Sequence, residues 1–216
     1  MRYSWSSFLV LFLALSIPVF SQSSLPQAYT LRAELAAKPQ PLTLTIYRDG
    51  QRELLESGGA QGSGKTLVDF AAHKVYWIDL FKKGTCSAGR YLSSRAPVSV
   101  DFITGTSDVL GRLLPPGSKR TVIGKDKING IPATVEQIEI PAQNSSNPGS
   151  PTKIWIAEQG GYLVKIEVRG EDGRPDTMYE VKQLTFSKPS PELLTPPANC
   201  EMTNSEMDDS GQIHMH

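Results

Sequence analysis

In residues 162–169, YLVKIEVR, Tyr162, Val164, Ile166 and Val168 stand against Lys165, Glu167 and Arg169. A period of two belongs to the β-strand, where successive side chains leave opposite faces, and it is incompatible with an amphipathic helix. The pattern recurs along the chain. In AYTLRAEL, Tyr29, Leu31, Ala33 and Leu35 share one face, and in PLTLTIYRDGQRELLE, Leu42, Leu44 and Ile46 alternate with Thr43, Thr45 and Tyr47. GKTLVDF and HKVYWIDL add two strands, the second with Val75 and Trp77 opposite Tyr76, Ile78 and Leu80. Asp49-Gly50, Asn129-Gly130, Gly160-Gly161 and Asp172-Gly173 supply tight turns between such runs, because these residue types tolerate positive φ. The count is about eight to ten antiparallel strands with no βαβ rhythm.

One interruption stands between Ser87 and Pro116. AGRYLSSRA reads as a short helix and TSDVLGRLLPP as another, with Thr106 or Ser107 as cap and Pro115-Pro116 as stop. Val109, Leu110, Leu113 and Leu114 fall at helical spacing, so this piece is expected to lay an apolar stripe on the sheet.

The stretch 59-GAQGSGKT-66 fills the phosphate-binding pattern G-x-x-x-x-G-K-[ST]. That motif works only between a buried parallel strand and a helix N-terminus, where backbone N–H groups converge on phosphate. Here a polar segment precedes it, and residues suited to strands follow. The expectation is a flexible hairpin loop over 57-SGGAQGSG-64 and no nucleotide site at Gly59–Thr66; a nucleotide hydrolase is the outlying alternative.

The N-terminus carries Arg2 followed by the apolar run Phe8–Phe20, a length typical of a cleaved export signal and short for a bilayer span. Cleavage is expected after Ser21, leaving a single domain over 22–200 and a mobile tail over 201–216. An uncleaved anchor is the alternative. The mature chain is therefore expected to be periplasmic or secreted and not membrane-spanning. Export favours pairing the two cysteines, Cys86 and Cys200, as a disulfide; two buried thiols are the other reading.

Little points to catalysis. With 22 basic and 22 acidic residues the chain lacks the electrostatic footprint of a nucleic-acid binder. His73 reads as a solvent-facing residue at a strand entrance. His214 and His216, beside Met215, could touch a soft metal, although a mobile tail end is the plainer reading. Asp101, Asp108, Asp208 and Asp209 have no spacing for acid–base work. Asn144-Ser145-Ser146 matches a glycosylation acceptor that matters only in a eukaryotic secretory pathway. Lys119, Arg120, Lys125 and Lys127 gather around one hairpin, as a solvated surface or a site for an anionic partner such as a lipid headgroup. Neither cofactor nor metal is expected, and the chain reads as non-enzymatic.

Four stretches resemble the LolA/LolB-like superfamily of bacterial envelope proteins: the hairpin TLTIYRDGQRELLE, the strand VDFAAHKVYWIDL, the element IGKDKINGIPATVEQIE, and KIWIAEQGGYLVKIEV followed by YEVKQLTFSKPSPELLTPP. Together they cover roughly residues 28 to 197. The resemblance implies a mainly β, curved antiparallel half-barrel with a short helical insertion over its concave face, and a cavity for acyl chains or a lipidated partner. Two departures stand out: the sequence shows no obvious long N-terminal helix before the first strand, unlike the lipoprotein carriers, and a cysteine pair is present. Leu42, Leu44, Ile46, Trp77, Val164, Ile166 and Val168 are the candidate cavity walls. The rival expectation is an envelope scaffold or sensor that docks a protein partner and has a solid interior.

Overall fold

The computed structural model describes residues 28–37, 40–59, 62–80, 82–92, 114, 116–141, 150–208 and 212–215. The export signal, the helical stripe over 106–113, the glycosylation acceptor, Asp101, Asp108, Asp209 and His216 lie outside these residues. Among the described residues, 13 strands join in one open sheet.

The first six strands form a meander: β1 (Ala28–Leu35), β2 (Leu42–Asp49), β3 (Arg52–Gly59), β4 (Gly62–Asp69), β5 (Lys74–Ile78) and β6 (Cys86–Tyr91). A second meander contains β7 (Lys119–Ile128), β8 (Ile131–Glu139), β9 (Pro151–Ala157), β10 (Leu163–Arg169) and β11 (Pro175–Thr185). The two are fused where β1 pairs with β11. After a 3-10 turn at Pro191–Leu194, β12 (Glu201–Met207) runs parallel to β6 and carries the two-residue β13 (Ile213–His214). The turns use the expected chemistry: Asn129 and Gly130 both adopt positive φ, at 48° and 87°, as a two-residue hairpin turn requires.

Three expectations need correction. AGRY is not helical but the second half of β6. Gly89 and the small residues beside it mask the alternation, yet the backbone pairs with β5 through Val75↔Gly89 and Trp77↔Ser87. Within the stretch 57–64, Ser57–Gly59 and Gly62–Gly64 are not a flexible loop: the strands pair as far as Gly59↔Gly62, because glycine leaves the ladder's hydrogen bonds intact. Of the expected mobile tail, Glu201–Met207 and Ile213–His214 are strands. The Cys86–Cys200 disulfide, with Cα atoms 4.5 Å apart, delivers them to the β6 edge.

Strand register places many of the apolar positions on one face, although in β8 and β9 Ala133, Val135, Trp155 and Ala157 are buried on the other. Ile166 opposes Tyr179, which opposes Leu35, which opposes Leu42. Further along, Ile46 opposes Leu55, then Thr66, then Trp77. The main core on this face includes Leu31, Ile46, Ile154, Ile166 and Tyr179, joined by Leu114 where the chain returns from the middle segment. Trp77 belongs to a neighbouring cluster with Val68, Phe70, Val75, Tyr91 and Met207. The opposite face is covered locally, where Leu193 and Leu194 of the 3-10 turn lie on Leu54, Leu67, Tyr47 and Tyr76.

The sheet bends sharply at the second meander. Asn129, at the tip of the β7–β8 hairpin, donates through Nδ2 to the Val181 carbonyl at 2.8 Å and to Glu180 Oε1 at 3.0 Å. In a flat sheet, three strand spacings of ~4.8 Å would separate β8 from β11. The hairpin has therefore folded across the face that carries Glu180. A bulge helps: Lys182 is left over between the pairs Ala33↔Val181 and Arg32↔Gln183, and bulges sharpen local twist.

Candidate ligand cavity

At the end of the sheet where the β7–β8 and β9–β10 turns meet the close of β11, a cavity of about 620 Å³ is lined by Gly130, Ile131, Pro132, Glu158, Gln159, Leu184 and Phe186. That volume lies within the range of small-molecule sites. Its rim is held together by backbone: the Glu158 N–H donates to the Pro132 carbonyl at 3.0 Å. The outer side of this rim carries an ion pair, Lys125 to Glu158 at 2.7 Å.

From the cavity an aromatic row leads into the core. The Phe186 ring lies 5.6 Å from that of Tyr162, which stands edge-on to Tyr29 at 5.3 Å. Tyr162 is fully buried, and its hydroxyl finds no hydrogen-bond partner among the described residues. Burial pushes this hydroxyl up to about 12, with Arg48 pulling weakly the other way. Beyond it lies a half-buried ion pair. Arg48 Nη1 meets Glu53 Oε2 at 3.0 Å, the Glu53 side chain is 1% exposed, and the guanidinium stacks 4.4 Å over Phe70. Burial, and then Glu53, hold the Tyr29 hydroxyl well above its ordinary range. The apolar face thus contains a charged, hydroxyl-rich spot between its two clusters.

The seven expected wall residues lie behind this mouth rather than around it. Ile46, Trp77, Val164, Ile166 and Val168 are buried, whereas Leu42 and Leu44 are half-buried. Register puts Leu42, Leu44, Ile46, Trp77, Ile166 and Val168 on the core face, and Val164 is the extra residue in a bulge between Leu163 and Lys165. The face across from Ile166 is less wet than alternation suggests. Lys165 lies 4.5 Å over the Trp155 ring and pairs with Glu167 at 2.8 Å, and the Trp155 indole donates to Asp126 at 3.0 Å. Sequence reading missed the residues that do line the cavity. Leu184 and Phe186 continue the apolar side of β11, and Ile131-Pro132 follows a hairpin turn, but nothing local says that these two places meet.

The glycine–lysine stretch has its own depression of about 250 Å³, lined by Thr43, Thr45, Glu56, Ser57, Gly58, Ser63, Gly64, Lys65 and Asp79. Lys65 is bound to Glu56 at 2.5 Å, and both Lys65 and Thr66 lie in the antiparallel strand β4. A phosphate cradle needs N–H groups converging at a helix start, and β4 offers a ladder instead. His73 is exposed at φ 52° in the β4–β5 turn, and His214 meets Asp208 at 2.9 Å. Among the described residues, no three of His, Cys, Asp and Glu converge as metal ligands. No described helix is long and apolar enough to cross a membrane.

No protein-family model matches this sequence, and no curated protein matches it. Solved structures do. A chain in the complex of Pseudomonas aeruginosa MucA and MucB aligns at TM-score 0.50 and 14% identity over 81% of this chain and 57% of its own. MucB alone aligns at 0.48 and 14% identity, over 83% of this chain and 61% of MucB. This chain therefore spans less than two thirds of these MucB chains. A LolA superfamily protein, NE2245 from Nitrosomonas europaea, also stands among the matches, at TM-score 0.30 and 10% identity over 80% of this chain and 92% of that one. The likeness at TM-score 0.50 is one of fold.

Proposed function

We propose, from the premise of a fold shared with the chain in the MucA–MucB complex, that this protein is an exported, non-enzymatic binder of an apolar ligand. The open sheet acts as a curved half-barrel, and the ligand is the acyl chain of a lipid or of a lipidated partner. The observation that carries this reading is the cavity of about 620 Å³, whose apolar residues Ile131, Pro132, Leu184 and Phe186 continue into the core through the Phe186–Tyr162 contact. Apolar walls facing water cost about 25 cal/mol per Å², so an acyl chain seated there is stabilised by their burial. A chain reaching deeper would run along Leu42, Leu44, Ile46, Val164, Ile166 and Val168 towards Trp77. Export rests on the N-terminal run, with cleavage after Ser21 and a periplasmic or secreted mature protein.

Native mass spectrometry of protein purified from cell envelopes, with titration of a fluorescent fatty acid, tests the reading. Lipid adducts and saturable binding are expected in the wild type, both reduced by Phe186→Asp. A protein free of lipid and indifferent to the fatty acid sinks it. The same mass measurement places the mature N-terminus.

A second reading, a scaffold that docks a protein partner, is favoured by the filled interior: Leu31, Ile46, Val164 and Ile166 are at most 1% exposed. The solved complex of Pseudomonas aeruginosa MucA and MucB, aligned at TM-score 0.50, also supports it by analogy.

A further inference from the structure

The strand β7 ends the sheet, and all its residues but Ile128 are exposed. Among the described residues its only ladder is with β8, so every second residue turns its N–H and C=O to solvent. Such an edge is a template for another strand.

Its chemistry selects the kind of strand. In KRTVIGKDKI, four cations stand against one carboxylate. Asp126 is engaged by the Trp155 indole and the Lys127 N–H, and Arg120 and Lys125 are bound to Glu136 and Glu158. Among the described residues, Lys119 and Lys127 make no ion pair or side-chain hydrogen bond. A bulge leaves Ile123 over between Val122 and Gly124, and Val122 and Ile123 are 64% and 53% exposed at the middle of the strand. Register sets Arg120, Val122, Lys125 and Lys127 on the core face of the sheet and Lys119, Thr121 and Asp126 on the other. Lysines and a bulge ordinarily guard an edge against its own kind. A second copy of β7 would bring four more cations against these four.

We infer that β7 is a docking edge for an extended acidic segment of a protein partner, which adds as the next strand with carboxylates beside the lysines and an apolar residue over Val122 and Ile123. The inference is independent of the acyl-chain reading, because β7 lies outside the cavity lining.

The test uses the full mature chain with a synthetic decapeptide carrying Val-Val between two runs of Glu, a counterpart with Lys in place of Glu, and vesicles of phosphatidylglycerol. The acidic peptide should bind, slow hydrogen exchange across residues 119–128, and weaken as salt rises. The Lys119→Glu/Lys127→Glu variant should melt like the wild type and bind the peptide at least about tenfold more weakly, since like charges across a strand pair repel. No binding, unprotected β7 amides, equal affinity in the variant, or binding to the vesicles alone overturns the assignment.

Discussion

The Trp77 ring lies against the backbone of Gly89 on the neighbouring strand, so close that a Cβ on Gly89 would stand 2.7 Å from the indole. From the other side the Ser205 carbonyl of β12 closes on the same point. Gly89 is thus where the β6 backbone must be bare for the indole and the C-terminal strand to sit together. Gly89→Ala forces both to move, at a cost of about 1–3 kcal/mol for overpacking. Chemical denaturation should show that loss, with Trp77 fluorescence altered. An unchanged midpoint would mean that β12 does not seat there.

Cys86 and Cys200 close a loop across 114 positions and anchor β12 beside β6. Most of the benefit comes from restricting the unfolded chain, about 2–5 kcal/mol for a natural bridge. The Cys86→Ser/Cys200→Ser variant should unfold at lower denaturant, with exchange fastest in residues 201–207. Thiol titration of the denatured, unreduced wild type should find none; two titratable thiols would refute the bridge.

Arg48 and Glu53 form an ion pair at the centre of the apolar face. Glu53 is buried while Arg48 is 23% exposed, so removing Arg48 leaves a desolvated carboxylate at a cost below about 3–5 kcal/mol, the figure for a fully buried pair. Arg48→Ala should therefore lower stability, while Arg48→Met/Glu53→Met should recover much of it. If the double variant is no better than the single one, the pair contributes by some route other than mutual compensation.

Acid should loosen the fold through Asp69 and Glu180. Desolvation pulls the Asp69 carboxyl up, but the Ala72 N–H and the Arg52 guanidinium, 2.9 and 2.8 Å away, outweigh it and hold it below the usual range. At Glu180 the Lys182 ammonium has the largest effect, and with the Asn129 amide it overcomes desolvation to hold that carboxyl down as well. A depressed carboxylate stabilises the fold above its unfolded pKa, about 4, and that stabilisation is lost as pH falls through the folded value. The denaturation midpoint should be flat near neutrality and fall in acid, more shallowly in Asp69→Asn. A midpoint that rises on acidification would contradict the sign.

Much of the β-structure was legible. Alternation in residues 28–35, 42–49 and 163–169 located β1, β2 and β10, and the Asn129-Gly130 and Asp49-Gly50 pairs located their turns. It failed where glycine or polar residues broke the alternation, as at Gly89 in β6 and along the C-terminal strands. For the cavity the sequence named the apolar face but not the mouth. Ile131 and Phe186 lie far apart in the chain, and only the bend that carries Asn129 to Val181 brings their ends together.

Taken alone, the letters decided that this chain forms strands, which side of most strands is greasy, and that Lys65 belongs to a ladder rather than to a phosphate loop. These are local matters, governed by backbone sterics and a period of two. The tertiary structure decided that β1 marries β11, that β12 returns to lie parallel to β6, and that β7 is left as the free edge. Such choices depend on long-range burial and on one covalent bridge, whose energies no short window of residues contains.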